Sequence, residues 1–489
     1  MITWGISANS HDAALAVFQD QKLLFASHSE RFSKKKNDAD LCDSIVQYAA
    51  SHYGYPDEVV WYEKPWAKTL RQWRAGQGFN HRSNNIKSYL KQYDIRAPIK
   101  TMWHHESHAA AGYYTSKFQE AAIVVIDAIG EFETLTIWHG QGENLRKVYS
   151  QGYPNSLGLW YSAMTQRCHL KPNEEEYILM GMAAYGDPNK LYFKIMDDFF
   201  DHKTGQLVTL KRNLHRGCMD WAPELTVNDT FDIAAATQAV YEWQFEKILQ
   251  HARKLVGCDN LVLMGGCALN CLANPIAYKH FKNTWIMPNP GDAGSSIGAV
   301  LAHKKFRLDW TTANLGYNIE PNASIEEIVD YLETNQICGV AQGPAEFGPR
   351  ALGNRSLLAD PRGDTIKDRV NDIKKRQQFR PFAPVILEEL ADQYFDLCGD
   401  SSDHRYMQFI SRCRHPQLFP AIIHRDGTSR VQTVPKDGSR IRQLLEAWYD
   451  RTGCPMLLNT SLNIKGQPMV NDRSDAQAFE RHYNTKVFT

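Results

Sequence analysis

Apolar runs that end on glycine and resume with helical periodicity constrain this 489-residue chain more than any other feature. Leu261–Met264 stops at Gly265–Gly266, and a helix is expected over the following CALNCLAN. Trp285–Met287 passes through PNPGD into SSIGAVLAHKKF, which also reads as a helix. Short apolar runs bounded by turn residues suit buried strands, and a glycine turn before a helix offers backbone N–H groups to an anion. Ala121–Asp127 reads as another buried strand, followed by Thr134–Trp138. Repeated strand–glycine–helix units indicate an α/β nucleotide-binding core.

Upstream, ITWGIS, AALAVFQ and KLLFASH read as a β-meander with turns at Asn9–His11 and Asp20–Gln21. Residues 104–116 have helical character. From Phe231 to Val256 apolar residues keep one face of a long helix, and Gly257 is its expected stop. Periodicity lapses between Asp309 and Asn322. Two domains are expected, 1–315 and 316–489.

Composition excludes several classes. The 55 basic and 55 acidic residues cancel, which argues against a general nucleic-acid or membrane binder. MITWGISANSHDAAL has no signal-peptide pattern, and no apolar stretch has the length of a membrane span. The ten cysteines form neither a zinc-ribbon spacing nor a disulfide framework. A cytoplasmic location is expected, and a homodimer is compatible with the sequence.

Candidate chemistry lies in several places. His104 and His108 are four apart, so a helix would stack both imidazoles on one face, with His105 about 100° away. Asp127 ends a buried strand, where an unpaired charge would be costly. Asp292 precedes a helix and reads either as a ligand or as an N-cap. Together these four form a mixed N/O set suited to iron(II), manganese or zinc. DAIGE, with Gly130 and Glu131, and Gly265–Gly266 with Asn270 and Asn274, are candidates to hold a nucleotide. His11, beside Asp12 in the first turn, is either a general base or a surface histidine.

From Glu346 to Pro384 the chain gathers Arg350, Arg355, Arg362, Lys374, Lys375, Arg376 and Arg380 among interrupting glycines and prolines. A pocket for a small anion is one reading and an ion-paired surface is the other. Lys374-x-Arg376, Arg430 and the distant Ser461-x-Asn463 would together neutralise a carbonyl phosphate and a triphosphate.

These residues occur within ISANSHDAALAV, HHESHAA, DAIGE, GGCALNCLAN, GDAGSSIGA, EFGPRALGNRSLLADPR, KKRQQFRPFAP, HRDGTSRVQTV and NTSLNIKGQP. In that order they resemble the NodU/CmcH-type O-carbamoyltransferases over nearly the whole chain. The resemblance implies a Kae1-like domain of the actin/Hsp70 (ASKHA) fold, with iron on His104, His108, Asp127 and Asp292. A YrdC-like α/β domain would follow, with Lys374, Arg376, Ser461 and Asn463 as its signature and Arg350, Arg355 and Arg430 as further anion contacts. It also implies that carbamoyl phosphate and ATP, with Mg, yield carbamoyl adenylate, whose carbamoyl group passes to an acceptor hydroxyl with His11 as base. A sugar, an antibiotic-like metabolite or a hydroxymethylated nucleotide would serve as acceptor. This chain departs from the family pattern at Ser29, Ile178, Pro344, Ala345 and Gln467. Two other readings are threonylcarbamoyladenosine-type tRNA modification and a nonenzymatic ATP-binding regulator.

Overall fold

The computed structural model describes every residue from Met1 to Thr489 and is mixed α/β. Two compact units divide it. The first holds Met1–Leu24 and Val46–Trp310, and the second holds Phe25–Ile45 and Thr311–Thr489.

Apart from Phe25–His28 at the end of one strand, the first unit is built on two five-stranded sheets. One uses β1 (Ile2–Ser7), β2 (Ala14–Gln19), β3 (Lys22–His28), β4 (Glu58–Trp61) and β5 (Ile99–Thr101) in the order β3-β2-β1-β4-β5. The other uses β6 (Glu120–Ile126), β7 (Glu133–Gln141), β8 (Asn144–Gly152), β9 (Asn260–Met264) and β10 (Asn283–Ile286) in the order β8-β7-β6-β9-β10. Strand β1 is antiparallel to β2 and parallel to β4, just as β6 is antiparallel to β7 and parallel to β9. The same topology thus occurs twice, in agreement with the actin/Hsp70-type fold that the resemblance implied. No repeat was visible in the sequence, because sheet order is encoded by burial pattern and not by residue identity.

Four helices matter for the chemistry: α1 (Pro65–Arg74), α2 (His104–Thr115), α3 (Thr230–Val256) and α4 (Ser295–Lys304). Helices α2 and α4 cross at Gly298, where a Cβ would lie 1.9 Å from Ser107 O. Only a residue without a side chain permits that approach. Helix α3 ends as expected at Gly257, in the left-handed region at φ 75°. Downstream of Gly265 the expected helix is absent. Two short 3-10 turns, Gly266–Leu269 and Asn274–Lys279, stand there instead. Asn270 Oδ1 accepts from Ala273 N, and Pro275 has no N–H to give, so an α-helical ladder cannot run through the segment.

In the second unit, β11 (Asn314–Ile319) pairs with β13 (Gly343–Glu346). A six-stranded sheet contains β12 (Ile337–Ala341), β14 (Arg355–Ala359), β15 (Ala383–Leu387), β19 (Gln432–Val434), β20 (Met456–Ser461) and β21 (Val487–Phe488), in the order β19-β15-β20-β14-β12-β21. Strands β16 (Phe395–Asp396), β17 (Ser411–Cys413) and β18 (Thr428–Ser429) make a small third sheet. Helices α5 (Ile366–Lys374) and α6 (Arg440–Thr452) belong to this unit, whose apolar core includes Leu357, Val385, Leu457 and Trp448.

The grouping of Phe25–Ile45 with the second unit departs from the expected single division near residue 315. Its contacts explain the difference: Arg31 Nη2 donates to Gly348 O at 2.9 Å, Lys34 pairs with Asp475, and the Phe32 ring meets Tyr317. Partners hundreds of residues away leave no local sequence signal. No helix in the molecule is long and apolar enough to cross a membrane.

Candidate active site

Helix α2 places His104 and His108 on one face, with their Nε2 atoms 3.1 Å apart. Asp127 follows the last residue of β6, and its Oδ2 lies 3.1 Å from His104 Nε2. Asp292 stands at the start of the turn leading into α4, with Oδ1 3.4 Å from His104 Nε2 and 3.3 Å from His108 Nε2. The N-cap positions of that turn and of α4 are Gly291 and Gly294, so the N-cap alternative is not realised. One donor atom from each of the four residues falls within 4.8 Å of the others. Ligand bonds of about 2.1 Å put neighbouring donors about 3.0–3.4 Å apart in octahedral or tetrahedral coordination. The short contacts fit that spacing, and the donor set fits a divalent transition metal.

Electrostatics point the same way. Burial disfavours a charged His104, but Asp292 and Asp127 outweigh it and raise its pKa well above the usual histidine range. Asp292 is held well below the carboxylate range by both histidines, against burial, and Asp127 is lowered as well. The far nitrogens, His104 Nδ1 and His108 Nδ1, are buried with no partner, so no outer acceptor sets their tautomers. His105 turns away and pairs through Nδ1 with Thr136 Oγ1 at 2.9 Å.

The glycines expected to hold a nucleotide surround this cluster. Gly265 adopts φ +88°, and a Cβ there would meet Ile126 O at 2.2 Å. The Gly266 amide donates to Asp127 Oδ1 at 3.0 Å, leaving Oδ2 for His104. Gly130 lies against the His104 and His105 side chains.

Three polar residues expected at the nucleotide are otherwise engaged. Glu131 is buried and accepts from the amides of Lys64, at 2.6 Å, and His104, at 3.2 Å. Its carboxylate secures the starts of α1 and α2. Asn270 exchanges hydrogen bonds with Gln238 at 3.0 and 3.1 Å, and Asn274 donates to Ala268 O at 2.9 Å. Each amide closes a local turn, which a spacing argument alone could not foresee.

His11 lies in the β1–β2 turn, with Nδ1 3.0 Å from Asp12 Oδ2 and Nε2 3.1 Å from Asn173 O. Burial lowers its pKa, but Asp12 and then Asp292 raise it to about 9. The sequence reading missed the brace beneath this turn: Lys68 Nζ donates to Asn9 O at 2.6 Å and pairs with buried Glu63 at 2.7 Å. An acid and a base five apart in a mixed segment carry no distinctive signal.

In the second unit, Lys374 closes α5 and its Nζ donates to Ser461 O at 2.6 Å, Asn463 O at 3.2 Å and Asn463 Oδ1. Ser461 Oγ donates to Asn463 Oδ1 at 2.7 Å. Burial, then Arg376 and Arg380, push the Lys374 pKa well down. No carboxylate neutralises this lysine, so an incoming anion would meet a desolvated donor. Arg376 is anchored by Asn371 Oδ1 at 2.7 Å and lies 3.8 Å from the Phe382 ring centroid. Arg430 has a buried Nε without a partner, and Arg350 is half-buried in the loop after β13.

Arg355, expected as a substrate contact, is engaged by the protein's own backbone. It is fully buried in β14 and donates to the carbonyls of Tyr317, Gly343, Asn354 and Asn471 at 2.7–3.0 Å. Its guanidinium ties separate segments together. Glu346, also missed, collects the amides of Leu352, Asn354 and Arg355 on Oε1 at 2.7–3.1 Å and shapes the loop carrying Arg350. A lone glutamate at the head of a basic block was the available clue.

Comparison with known proteins covers both units. Residues 62–301 match the family description "Carbamoyltransferase N-terminus" and residues 329–488 match "Carbamoyltransferase C-terminus". Nodulation protein U of Sinorhizobium fredii is 35% identical, across 94% of this chain and 93% of its own length. The 3'-hydroxymethylcephem-O-carbamoyltransferase of Amycolatopsis lactamdurans is 26% identical, across 95% of this chain and 94% of its own. Among solved structures, full-length HypF in its phosphate- and nucleotide-bound form covers 62% of this chain and 55% of its own, at 13% identity and TM-score 0.36.

Proposed function

Because the chain belongs to the carbamoyltransferase family, we propose that it is an O-carbamoyltransferase that consumes carbamoyl phosphate and ATP. Carbamoyl phosphate and water give carbamate and phosphate. Carbamate oxygen then attacks the α-phosphorus of ATP, forming carbamoyl adenylate as the bond to pyrophosphate breaks. An acceptor hydroxyl attacks the carbamoyl carbon, AMP leaves, and the hydroxyl proton passes to a base. The hydroxyl as acceptor follows the activity named for the Amycolatopsis relative.

In this scheme Lys374 and Arg376 hold the transferring anions, with Arg350 and Arg430 as further cations. Ser461 and Asn463 orient the Lys374 ammonium, which lacks a competing carboxylate. The support is the meeting of Lys374 with Ser461 and Asn463 across 87 and 89 residues of sequence. In the first unit His104, His108, Asp127 and Asp292 would hold Fe(II), or Mn or Zn. Such an ion supplies Lewis acidity towards a carbonyl or phosphate oxygen. Gly266 N–H fixes which Asp127 oxygen faces the histidines, and the Gly130 and Gly265 turns let the backbone pack closely around them. His11 in its neutral form would take the acceptor proton.

The test separates the two chemistries. Lys374→Met is expected to abolish carbamoyl-phosphate-dependent ATP–pyrophosphate exchange and to leave bound metal unchanged by elemental analysis. His104→Ala is expected to lose the metal and keep the exchange. Mass spectrometry of hydroxylated acceptors should then show an added carbamoyl group with the wild type alone. Folded variants that each lose both properties would overturn the assignment.

A further inference from the structure

The segment after β4 is one-sided in charge. Between Lys64 and Gln92 stand seven Lys and Arg and no Asp or Glu, in a chain whose formal charge is zero. It also exposes large aromatics: Trp66 is 62%, Trp73 58% and Phe79 64% accessible. Exposed indoles are common singly, but a cluster rimmed by cations marks a binding surface.

This surface adjoins the histidine–aspartate cluster. Glu131 takes the amides of both Lys64 and His104, so the starts of α1 and α2 lie side by side. There Trp66 meets Trp103 edge to face, with ring centroids 5.8 Å apart, and Trp103 directly precedes His104. Arg74 lies over the Phe132 ring at 5.8 Å. Across from α1, His215 packs against Tyr153 and pairs with Gln77 at 2.9 Å.

Arg71 stands among these groups without a counter-ion. Its Nε is buried and hydrogen-bonds to nothing. The carboxylates within its electrostatic reach, Glu63 and Glu131, are already engaged, one by Lys68 and the other by backbone amides. Tyr62, whose ring meets His104 at 5.2 Å, lies in the same neighbourhood. A half-buried guanidinium with no carboxylate of its own favours a carboxylate or phosphate over a neutral group.

We propose that the face formed by α1, Trp103 and Tyr153 binds the acceptor, and that the acceptor is a small anionic alcohol built on a sugar or base ring. The ring packs against the edge-to-face pair Trp66 and Trp103, and the acidic group takes Arg71. This narrows the acceptor class within the carbamoyl-transfer reading and rests on it.

The test is a fluorescence titration of the full-length protein with matched probes: glucose, glucuronate and glucose 6-phosphate, and uridine against uridine 5'-monophosphate. Anionic members are expected to bind about tenfold tighter than their neutral partners, the margin of one charge-assisted hydrogen bond. That margin should vanish in Arg71→Gln and partly return in Arg71→Lys, while Trp66→Ala weakens all ring probes alike. Glucuronate and glucose 6-phosphate distinguish carboxylate from phosphate. Equal binding of neutral and anionic probes, or a margin that survives Arg71→Gln, overturns the proposal. Carbamoyl-phosphate-dependent exchange is scored separately in the wild type, so its failure sinks the reaction and not the binding face.

Discussion

Two arginines five residues apart illustrate how burial divides one residue type into two roles. Arg350 is half-buried on a loop, whereas Arg355 is enclosed and surrounded by backbone carbonyls. Arg355→Met leaves those carbonyls unpartnered and is expected to cost about 3 kcal/mol or more in urea unfolding. Lysine should not rescue it, because one ammonium cannot reproduce the planar fork. A loss below about 0.5 kcal/mol, the range of ordinary surface substitutions, would contradict the structural role. His11 makes a different prediction. Its pKa is raised to about 9, so the protonated His11–Asp12 pair stabilises fully below the ordinary histidine pKa and fades as pH rises through 9. The neutral base appears in the opposite sense, so transfer activity should climb towards about pH 9, and His11→Gln should remove that limb. An ion bound at Asp292 would shift the limb lower by repelling the imidazolium proton. A His11→Gln profile that keeps the wild-type limb would assign the base elsewhere.

At the scale of elements, the α2–α4 crossing governs the cluster geometry. Helix α2 carries both histidines, α4 follows Asp292, and Gly298 sets their separation. Gly298→Val must push the helices apart. Overpacking of this kind costs about 1–3 kcal/mol, and metal retention should fall with it. Exchange dependent on carbamoyl phosphate should persist. Unchanged metal content in a folded Gly298→Val protein would show that the crossing does not control the ligands. The elements themselves were largely legible. Strands β1, β2, β3, β6 and β9 and helices α2, α3 and α4 follow their apolar periodicity to within a few residues. The segment after Gly265 was not legible as 3-10 turns, since asparagine side chains competing for backbone groups leave no period.

Over the whole molecule, an ion that binds only the folded state raises stability by mass action. Saturation at a hundredfold excess over Kd is worth about 2.7 kcal/mol, so Fe(II) or Mn should raise the Tm of the wild type and a chelator should reverse it. His104→Ala should show no such shift, and an equal shift in that variant would place the ion elsewhere. The sequence alone determined the kinds of element, the four convergent histidines and aspartates as candidates, and the distant lysine and Ser-x-Asn pair. Local periodicity gives the elements and residue chemistry names the candidate donors, while the family resemblance joins them into sets. Tertiary structure decided which polar residues remain open to a ligand. Arg355, Glu131 and Asn270 are satisfied by protein groups, whereas Arg71 and Arg430 each keep a buried Nε without a partner. Whether a buried donor meets a carbonyl or an open space depends on contacts far apart in the chain, and no window of sequence contains them.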